Sequence, residues 1–155
     1  MNSQQIQMST RIPAPASLVY SIIADYREGH PQILPAYFSD LVVEEGGFGA
    51  GTRIRFTMTA LGKTQTFRAL ISEPEPGRVL VEDNGPETGT VTTFTVDPVA
   101  QGEQAQVTIA TELKSSGGLR GAIERFFTGL FLRRVYTQEL KLLGEVVQHR
   151  QTQTI

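Results

Sequence analysis

The apolar positions in the last quarter of the chain recur at three- and four-residue steps, which is typical of an amphipathic helix. The predicted helix covers residues 118–150. Its apolar members are Leu119, Ile123, Phe126, Phe127, Leu130, Phe131, Val135, Leu142 and Val146. We expect Ile123, Phe127, Leu130, Phe131 and Val135 to face inward. This stripe is wide and aromatic, so the helix needs another layer to pack against, and a sheet closed by such a helix can enclose a cavity.

The first forty residues predict one strand followed by one or two short helices. Residues 4–12 alternate polar and apolar side chains, which is the pattern of a half-buried strand. Residues 16–25 have apolar positions at helical spacing, after Pro15 at a position where its missing N–H costs least. Between Pro31 and Pro35 there is room for at most one further helical turn.

The middle of the chain predicts an antiparallel sheet. Alternating segments cover residues 39–45, 51–61, 63–73, 78–84, 89–98 and 105–114. Short links rich in glycine or proline separate several of them, which favours antiparallel neighbours. The alternation places on one face Ile54, Phe56, Met58, Phe67, Ala69, Ile71, Thr92, Phe94, Val96, Val107, Ile109, Thr111 and Leu113. We expect this face to lie against the long helix.

Composition narrows the class of protein. A chain of 155 residues with 39% apolar and 19% charged residues suits one domain, residues 1–155. The net charge of −2, with no basic run longer than Arg133-Arg134, argues against nucleic acid. The absence of cysteine excludes disulfides and thiolate chemistry. Because the polar N-terminal segment is neither a signal peptide nor a spanning segment, we expect a cytoplasmic protein.

The order of predicted elements and several segments resemble a known family. These segments are IPAPASLVYSIIADY, GHPQILPAY, GFGAGTRIRF, RVLVEDNG and TVTTFTVDPV, followed by the long helix. They are similar to the START-related SRPBCC superfamily, in its polyketide cyclase/dehydratase-like branch, over nearly the whole chain. The resemblance implies an α+β helix-grip fold: a six- to seven-stranded antiparallel sheet wrapped around a long C-terminal helix, with two short helices after the first strand. It also implies a ligand cavity between sheet and helix.

Bulky apolar residues on both predicted walls are candidates to contact a ligand. They are Phe56, Met58, Phe67, Phe94, Phe127, Leu130 and Phe131. The alternative is that these side chains simply fill the core. Gly129 within the helix allows either close contact with the sheet or room for a ligand, and we expect close contact.

Three residues are candidates for acid–base chemistry: His30, Tyr37 and Glu82. Histidine is the side chain best suited to exchange protons near neutral pH, and His30 lies in a segment rich in glycine and proline, although a solvated loop histidine fits the same pattern. Glu82 would have a raised pKa if it pointed inward. Two distant histidines give no metal-binding pattern, so we predict neither a metal nor a cofactor. The sequence GFGAG enters a strand, which makes it a turn and not a phosphate-binding loop.

These patterns leave three functions open. The first is binding of a hydrophobic small molecule such as a lipid, quinone, isoprenoid or polyketide-like compound. The second is a cyclase/dehydratase-type enzyme, a hypothesis that gains support if His30, Tyr37 and Glu82 meet in one cavity and loses it if they do not. The third is an interaction module, in which Leu132 and Tyr136 would contact a partner such as a second copy of the chain. One arginine pair gives little support for a membrane surface.

Overall fold

The structure, a computed structural model, describes residues 2–60, 62–86, 88–115 and 118–153, with side chains outside residues 2–3, 114–115 and 118–127. The strands are β1 (Asn2–Ile12), β2 (Phe38–Glu45), β3 (Arg53–Ala60), β4 (Lys63–Glu75), β5 (Val79–Asp83), β6 (Thr90–Val99) and β7 (Gln104–Ser115). The helices are α1 (Ala16–Ala24), α2 (Gly29–Ile33) and α3 (Gly118–Gln153), with a 3₁₀ turn at Ala100–Gly102.

The described strands form one antiparallel sheet in the order β1-β7-β6-β5-β4-β3-β2. Strands β2 to β7 follow one another as neighbours, because short turns join them. Strand β1 pairs instead with β7 at the far edge, so the connection through α1 and α2 crosses from one edge of the sheet to the other. This architecture confirms the predicted helix-grip fold. No helix in the described ranges is long and apolar enough to span a bilayer.

A tight hairpin joins β3 and β4. Ala60 pairs with Lys63, and Gly62 between them has a φ of +76°, a conformation that favours glycine. The register pairs Phe56 with Phe67, and their rings stack with centroids 5.6 Å apart. The turn therefore sets which aromatic side chains lie together on the face toward α3.

The buried stripe of α3 differs from the predicted one. Its buried members are Leu132, Val135, Tyr136, Glu139, Leu140, Leu143 and Val147. Val135 faces inward as predicted and Phe131 packs against the core, but the prediction for Leu130 is wrong, because its side chain is 53% exposed. Leu130 lies two residues before Leu132, about 200° away around a helix with 3.6 residues per turn. Ile123 and Phe127 belong to the segment whose side chains are outside the described part.

Gly129 explains how closely α3 approaches the sheet. A Cβ atom at this position would lie 3.3 Å from Gln4 Nε2 and 3.5 Å from Ile6 Cδ1 on β1. The glycine thus has the predicted role of allowing close contact with a strand. Gly144, further along α3, has no atom within 4 Å of the corresponding position.

Gly29 allows α2 to pack tightly on α1. A Cβ at Gly29 would lie 2.5 Å from the carbonyl oxygen of Ile22, which is too close for any side chain. Since both groups belong to the backbone, neither can move without shifting a helix. The first residue of α2 is therefore restricted to glycine, and the next residue, His30, is fixed relative to α1.

We predict that Gly29→Ala lowers the free energy of unfolding by about 1–3 kcal/mol, because it forces α2 away from α1. Gly144→Ala is the matched control, and we expect it to raise stability by up to about 1 kcal/mol, because alanine favours the helix and the site has room. Urea unfolding followed by circular dichroism measures both. Equal stability of Gly29→Ala and the parent chain would contradict the tight α1–α2 contact.

Candidate functional site

A cavity of about 230 Å³ lies between α3 and the concave face of the sheet. Strand β3 lines it with every second side chain, namely Ile54, Phe56, Met58 and Ala60. Helix α3 contributes one face, namely Thr128, Phe131, Leu132, Tyr136 and Glu139. The spacing of two on the strand and of three or four on the helix follows directly from the geometry of the two elements. Most of the wall is apolar, with polar groups contributed by α2, α3, β5 and β6.

The predicted ligand-contacting residues separate into three groups. Phe56, Met58, Phe67, Phe94 and Phe131 line the cavity. Leu130 does not, because it lies on the exposed side of α3. Phe127 lies outside the described side chains.

A polar row crosses the sheet under α3. Glu82 on β5 pairs with Thr92 on β6, and Thr92 pairs with Thr111 on β7. Paired residues on adjacent strands point to the same face, so these three side chains lie side by side toward the helix. Ile71 on β4 and Ile6 on β1 continue the row at either end. The polar groups are therefore confined to the middle of an otherwise apolar surface.

Hydroxyl groups connect this row to α3. Thr92 Oγ1 lies 2.9 Å from Thr111 Oγ1, and Thr111 is hydrogen-bonded in turn to the hydroxyl of Tyr136. All three residues are buried. Burial raises the pKa of Tyr136 to about 12, so this phenol remains protonated and available as a donor at neutral pH.

His30 is buried at the cavity wall with 2% of its surface exposed, so the solvated-loop alternative is wrong. Its ring stacks on Tyr26 at a centroid distance of 4.3 Å and meets the edge of Phe94. Nδ1 lies 2.8 Å from the carbonyl oxygen of Ile23, which can only accept, so Nδ1 carries a proton. Nε2 lies 3.5 Å from Glu82 Oε2 and is the nitrogen that can exchange a proton.

Tyr26 holds the other side of Glu82. Its hydroxyl donates to Glu82 Oε2 at 2.5 Å. Burial, followed by the proximity of the Glu82 carboxylate, raises the pKa of Tyr26 well above its ordinary value, so the phenol stays a donor. Glu82 points inward, which was one of the orientations left open by the sequence. Its carboxyl group accepts a hydrogen bond from Tyr26 and lies next to the imidazole of His30.

The glycine-rich turn after β2 positions Tyr26. The Tyr26 N–H donates to the carbonyl of Gly47 at 2.9 Å, and the Gly49 N–H donates to the carbonyl of Ala24 at 3.0 Å. Gly47 and Gly49 have backbone φ values of +145° and +64°, which residues other than glycine rarely adopt. GFGAG is therefore a turn, as predicted, and it fixes the backbone that carries Tyr26, the hydrogen-bond partner of Glu82.

Glu139 is a second carboxyl group at the cavity. It lies on α3 one turn beyond Tyr136 and is only 3% exposed. Burial, followed by repulsion from Glu82, raises the pKa of Glu139 well above its usual range. No hydrogen bond or ion pair joins its carboxyl group to another residue in the described part of the chain. Glu139 therefore differs from Glu82, which has two partners.

Tyr37 lies apart from the other two acid–base candidates. It is half-buried, and its ring meets the edge of Phe131 at 5.1 Å, but it is not among the residues that line the cavity. The structure thus brings His30 and Glu82 together without Tyr37. The sequence analysis did not identify Glu139 as a cavity residue. Its spacing of three residues from Tyr136 indicates the same helix face, but only once the buried face of α3 is known.

The positions expected to mark an interaction module are covered in this structure. Leu132 and Tyr136 are 8% and 6% exposed and face the cavity, so they are not available to a partner surface. Among the described side chains, no group of three or more His, Cys, Asp or Glu residues is arranged to hold a metal ion.

The chain belongs to the family described as polyketide cyclase / dehydrase and lipid transport, whose model matches residues 3–148. Among solved structures, it is similar to the KanY protein, with 27% sequence identity and a TM-score of 0.83, covering 96% of this chain and 99% of that one. It also resembles a START superfamily protein from Mycobacterium smegmatis, at 14% identity and a TM-score of 0.71, covering 94% and 97%. No match was found among curated proteins.

A third similar structure is the Zhui aromatase/cyclase from a Streptomyces species. The identity is 16% and the TM-score is 0.77, covering 96% of each chain. At this identity the similarity shows a shared fold.

We predict that Glu139→Leu stabilises the protein by about 1–4 kcal/mol at neutral pH, because leucine replaces a buried and unpartnered acid. The raised pKa of Glu139 means that the folded state holds this proton more tightly than the unfolded state, whose value is near 4.5. Wild-type stability should therefore fall as pH rises above about 4.5, and the advantage of the variant should grow over that range. The variant keeps the other ionisable groups that face this region, namely Glu82, Tyr26, Tyr136 and His30.

The control is Glu145→Leu, an exposed glutamate on the same helix, for which we expect little change at any pH. Chemical unfolding at several pH values between about 4.5 and 8 measures the effect. A Glu139→Leu variant that is less stable than wild type throughout would show that the carboxyl group has stabilising partners.

Proposed function

We propose that this protein binds a hydrophobic small molecule in the cavity between α3 and the sheet. The observation that carries this proposal is the cavity itself: apolar side chains from β3, β4, β6 and α3 surround a space in which a few polar groups converge. Binding sites for small molecules have this composition, since apolar walls provide affinity and isolated polar groups orient the ligand. The family, which includes lipid transport in its description, supports the same function.

The volume of the cavity favours a compact ligand. About 230 Å³ is below the range of about 300–1,000 Å³ that is common for ligand pockets. A compound with one or two rings fits this volume better than a long-chain lipid. Phe56 and Phe67, stacked on each other, and Phe131 on the opposite wall offer aromatic surfaces to such rings.

We predict that Ala60→Phe, which adds bulk inside the cavity, weakens ligand binding by at least about tenfold. Thr59→Phe is the matched control, since it places the same ring on the neighbouring position of β3, on the exposed side. Phenylbutanol serves as a neutral probe, and isothermal titration calorimetry measures its affinity. Native mass spectrometry of the purified proteins should also show any co-purifying molecule in wild type and Thr59→Phe and lose it in Ala60→Phe.

Equal binding by the two variants would place the ligand elsewhere. Absence of both a co-purifying molecule and probe binding in wild type would contradict the proposed function.

A second candidate function is acid–base catalysis of the cyclase/dehydratase type. The specific observation in its favour is that His30 Nε2 and Glu82 Oε2 lie 3.5 Å apart in the cavity wall. With Nδ1 bonded to the carbonyl of Ile23, the imidazole is held in one orientation, and its other nitrogen can take or give a proton. In the dehydration of a β-hydroxyketone, His30 Nε2 would take the proton α to the carbonyl, the electron pair of that C–H bond would form the double bond as the C–O bond breaks, and the imidazolium would return the proton to the departing hydroxide, which leaves as water.

We predict that His30→Gln lowers any such dehydration activity by about 100-fold or more, because it removes the proton-exchanging group. His149→Gln, which changes an exposed histidine at the end of α3, should leave the rate unchanged. A phenyl-substituted β-hydroxyketone is a suitable probe, since formation of the conjugated enone is followed by its absorbance. A wild-type rate no greater than that in buffer, or equal rates for both variants, would contradict catalysis by His30.

A further inference from the structure

The charges in the cavity wall are not balanced. Two carboxyl groups, on Glu82 and Glu139, line it together with one imidazole, on His30. No lysine or arginine is among its lining residues in the described part of the chain. The interior therefore has more acidic groups than basic ones, in a setting where apolar walls strengthen every electrostatic interaction.

Protein groups already satisfy one of the two carboxyl groups. Glu82 accepts a hydrogen bond from the Tyr26 hydroxyl at 2.5 Å and faces His30 Nε2 at 3.5 Å. These two contacts supply a donor and a positive charge when His30 is protonated. Glu82 therefore needs no further counter-charge from a ligand.

The second carboxyl group, on Glu139, lacks any such partner among the described residues. It is 97% buried and lines the cavity. Burying an acid that has no partner in the protein costs free energy, because apolar surroundings disfavour its ionised form. A ligand group next to Glu139 could recover that cost. The cavity is thus complementary to a ligand with a group that donates hydrogen bonds and carries positive charge.

We propose that the ligand of this cavity is an apolar, ring-containing molecule with a basic amine, and that Glu139 selects it by binding the ammonium group. This inference rests on the proposed function, since it requires a ligand in the cavity. An ammonium group has three N–H donors, and its positive charge would pair with the Glu139 carboxylate, which has no cationic partner among the described residues. A carboxylate of the same size would place a negative charge next to the Glu82 and Glu139 carboxyl groups and would find no lysine or arginine among the lining residues described, so the cavity discriminates against fatty and aryl acids.

Binding of an amine should release a proton from the protein. In the free protein, burial raises the pKa of Glu139 and so favours the protonated carboxyl group. An ammonium ion at contact distance favours the ionised form and lowers that pKa, so the proton leaves to the buffer. Glu82, Tyr26 and Tyr136 also face Glu139, but the two phenols have raised pKa values and stay protonated. A neutral ligand would leave Glu139 protonated and release nothing.

Three probes with one carbon skeleton test the proposal: phenylbutylamine, phenylbutanol and phenylbutyrate. Isothermal titration calorimetry at pH 7 measures their affinities for the full chain, and repeating the amine titration in buffers of different ionisation enthalpy counts released protons. We expect the amine to bind at least about tenfold more tightly than the alcohol, as a charge-assisted hydrogen bond predicts. We expect phenylbutyrate to bind most weakly, and only the amine to release a proton.

Glu139→Gln keeps the shape of the side chain and removes its charge. We expect it to weaken amine binding by at least about tenfold, to abolish proton release and to leave alcohol binding within about twofold. Glu112→Gln, which changes an exposed glutamate on β7, is the matched control and should preserve the selectivity. If Glu139→Gln does not fold, the order of the three affinities and the proton release in wild type decide the question alone.

Failure of this proposal differs from failure of the proposed function. If phenylbutanol binds as tightly as the amine, or if the amine binds without releasing a proton, the selection by Glu139 is wrong while ligand binding stands. If amine selectivity persists in Glu139→Gln, another group recognises the ammonium. If none of the three probes binds to wild type, the amine proposal and the binding of compact apolar ligands both fail.

Discussion

Enclosure of polar side chains between the sheet and the buried face of α3 is the constraint on which this structure depends. Glu82, Thr92 and Thr111 lie in one row across three strands, and α3 covers them. Buried polar groups are usually hydrogen-bonded to a partner, because water does not reach them freely. Tyr136 reaches down from the helix to Thr111, while Tyr26 and His30 approach Glu82 from the side of α1 and α2. The segment that contains the two short helices thus provides the hydrogen-bond and charge partners of Glu82, which the sheet alone does not provide.

The precision of that arrangement comes from backbone contacts outside the cavity. Gly29 allows α2 to touch α1, and the turn containing Gly47 and Gly49 holds the segment between the two helices. A small displacement of either contact would move His30 or Tyr26 relative to Glu82. The relative orientation of His30 and Glu82 is therefore set by glycines that are not among the cavity-lining residues, which is a common way of supporting a site on rigid elements.

Much of the fold could be predicted from the sequence, because alternation with a period of two identifies strand faces directly. The inward faces of β3 and β6 followed from this rule, and so did Phe56, Met58, Phe67 and Phe94. The face of α3 was harder, since its apolar residues extend around more than one side. Leu130 and Leu132 are both apolar, and only contact with β1 at Gly129 and with the polar row decides which one turns inward.

The candidate site was predictable only in part. His30 and Glu82 were recognisable by residue type, but their convergence depends on the packing of α2 against α1, which no local pattern reveals. Glu139 was missed because a glutamate in a helix is normally exposed, and its burial becomes evident only when the cavity is seen. Thr92 and Thr111 were assigned to the correct face, yet their side-by-side placement required the register of three strands.

The position of β1 has a consequence for the way the chain reaches this structure. Asn2 pairs with Ser115, so the two strands of that ladder are separated by most of the sheet-forming part of the chain, whereas β2 to β7 pair with their neighbours along the chain. Local pairings form with a small entropic cost, and distant ones form more slowly. On the ribosome, the N-terminal strand therefore has no strand to pair with until β7 has been synthesised, although it is made first.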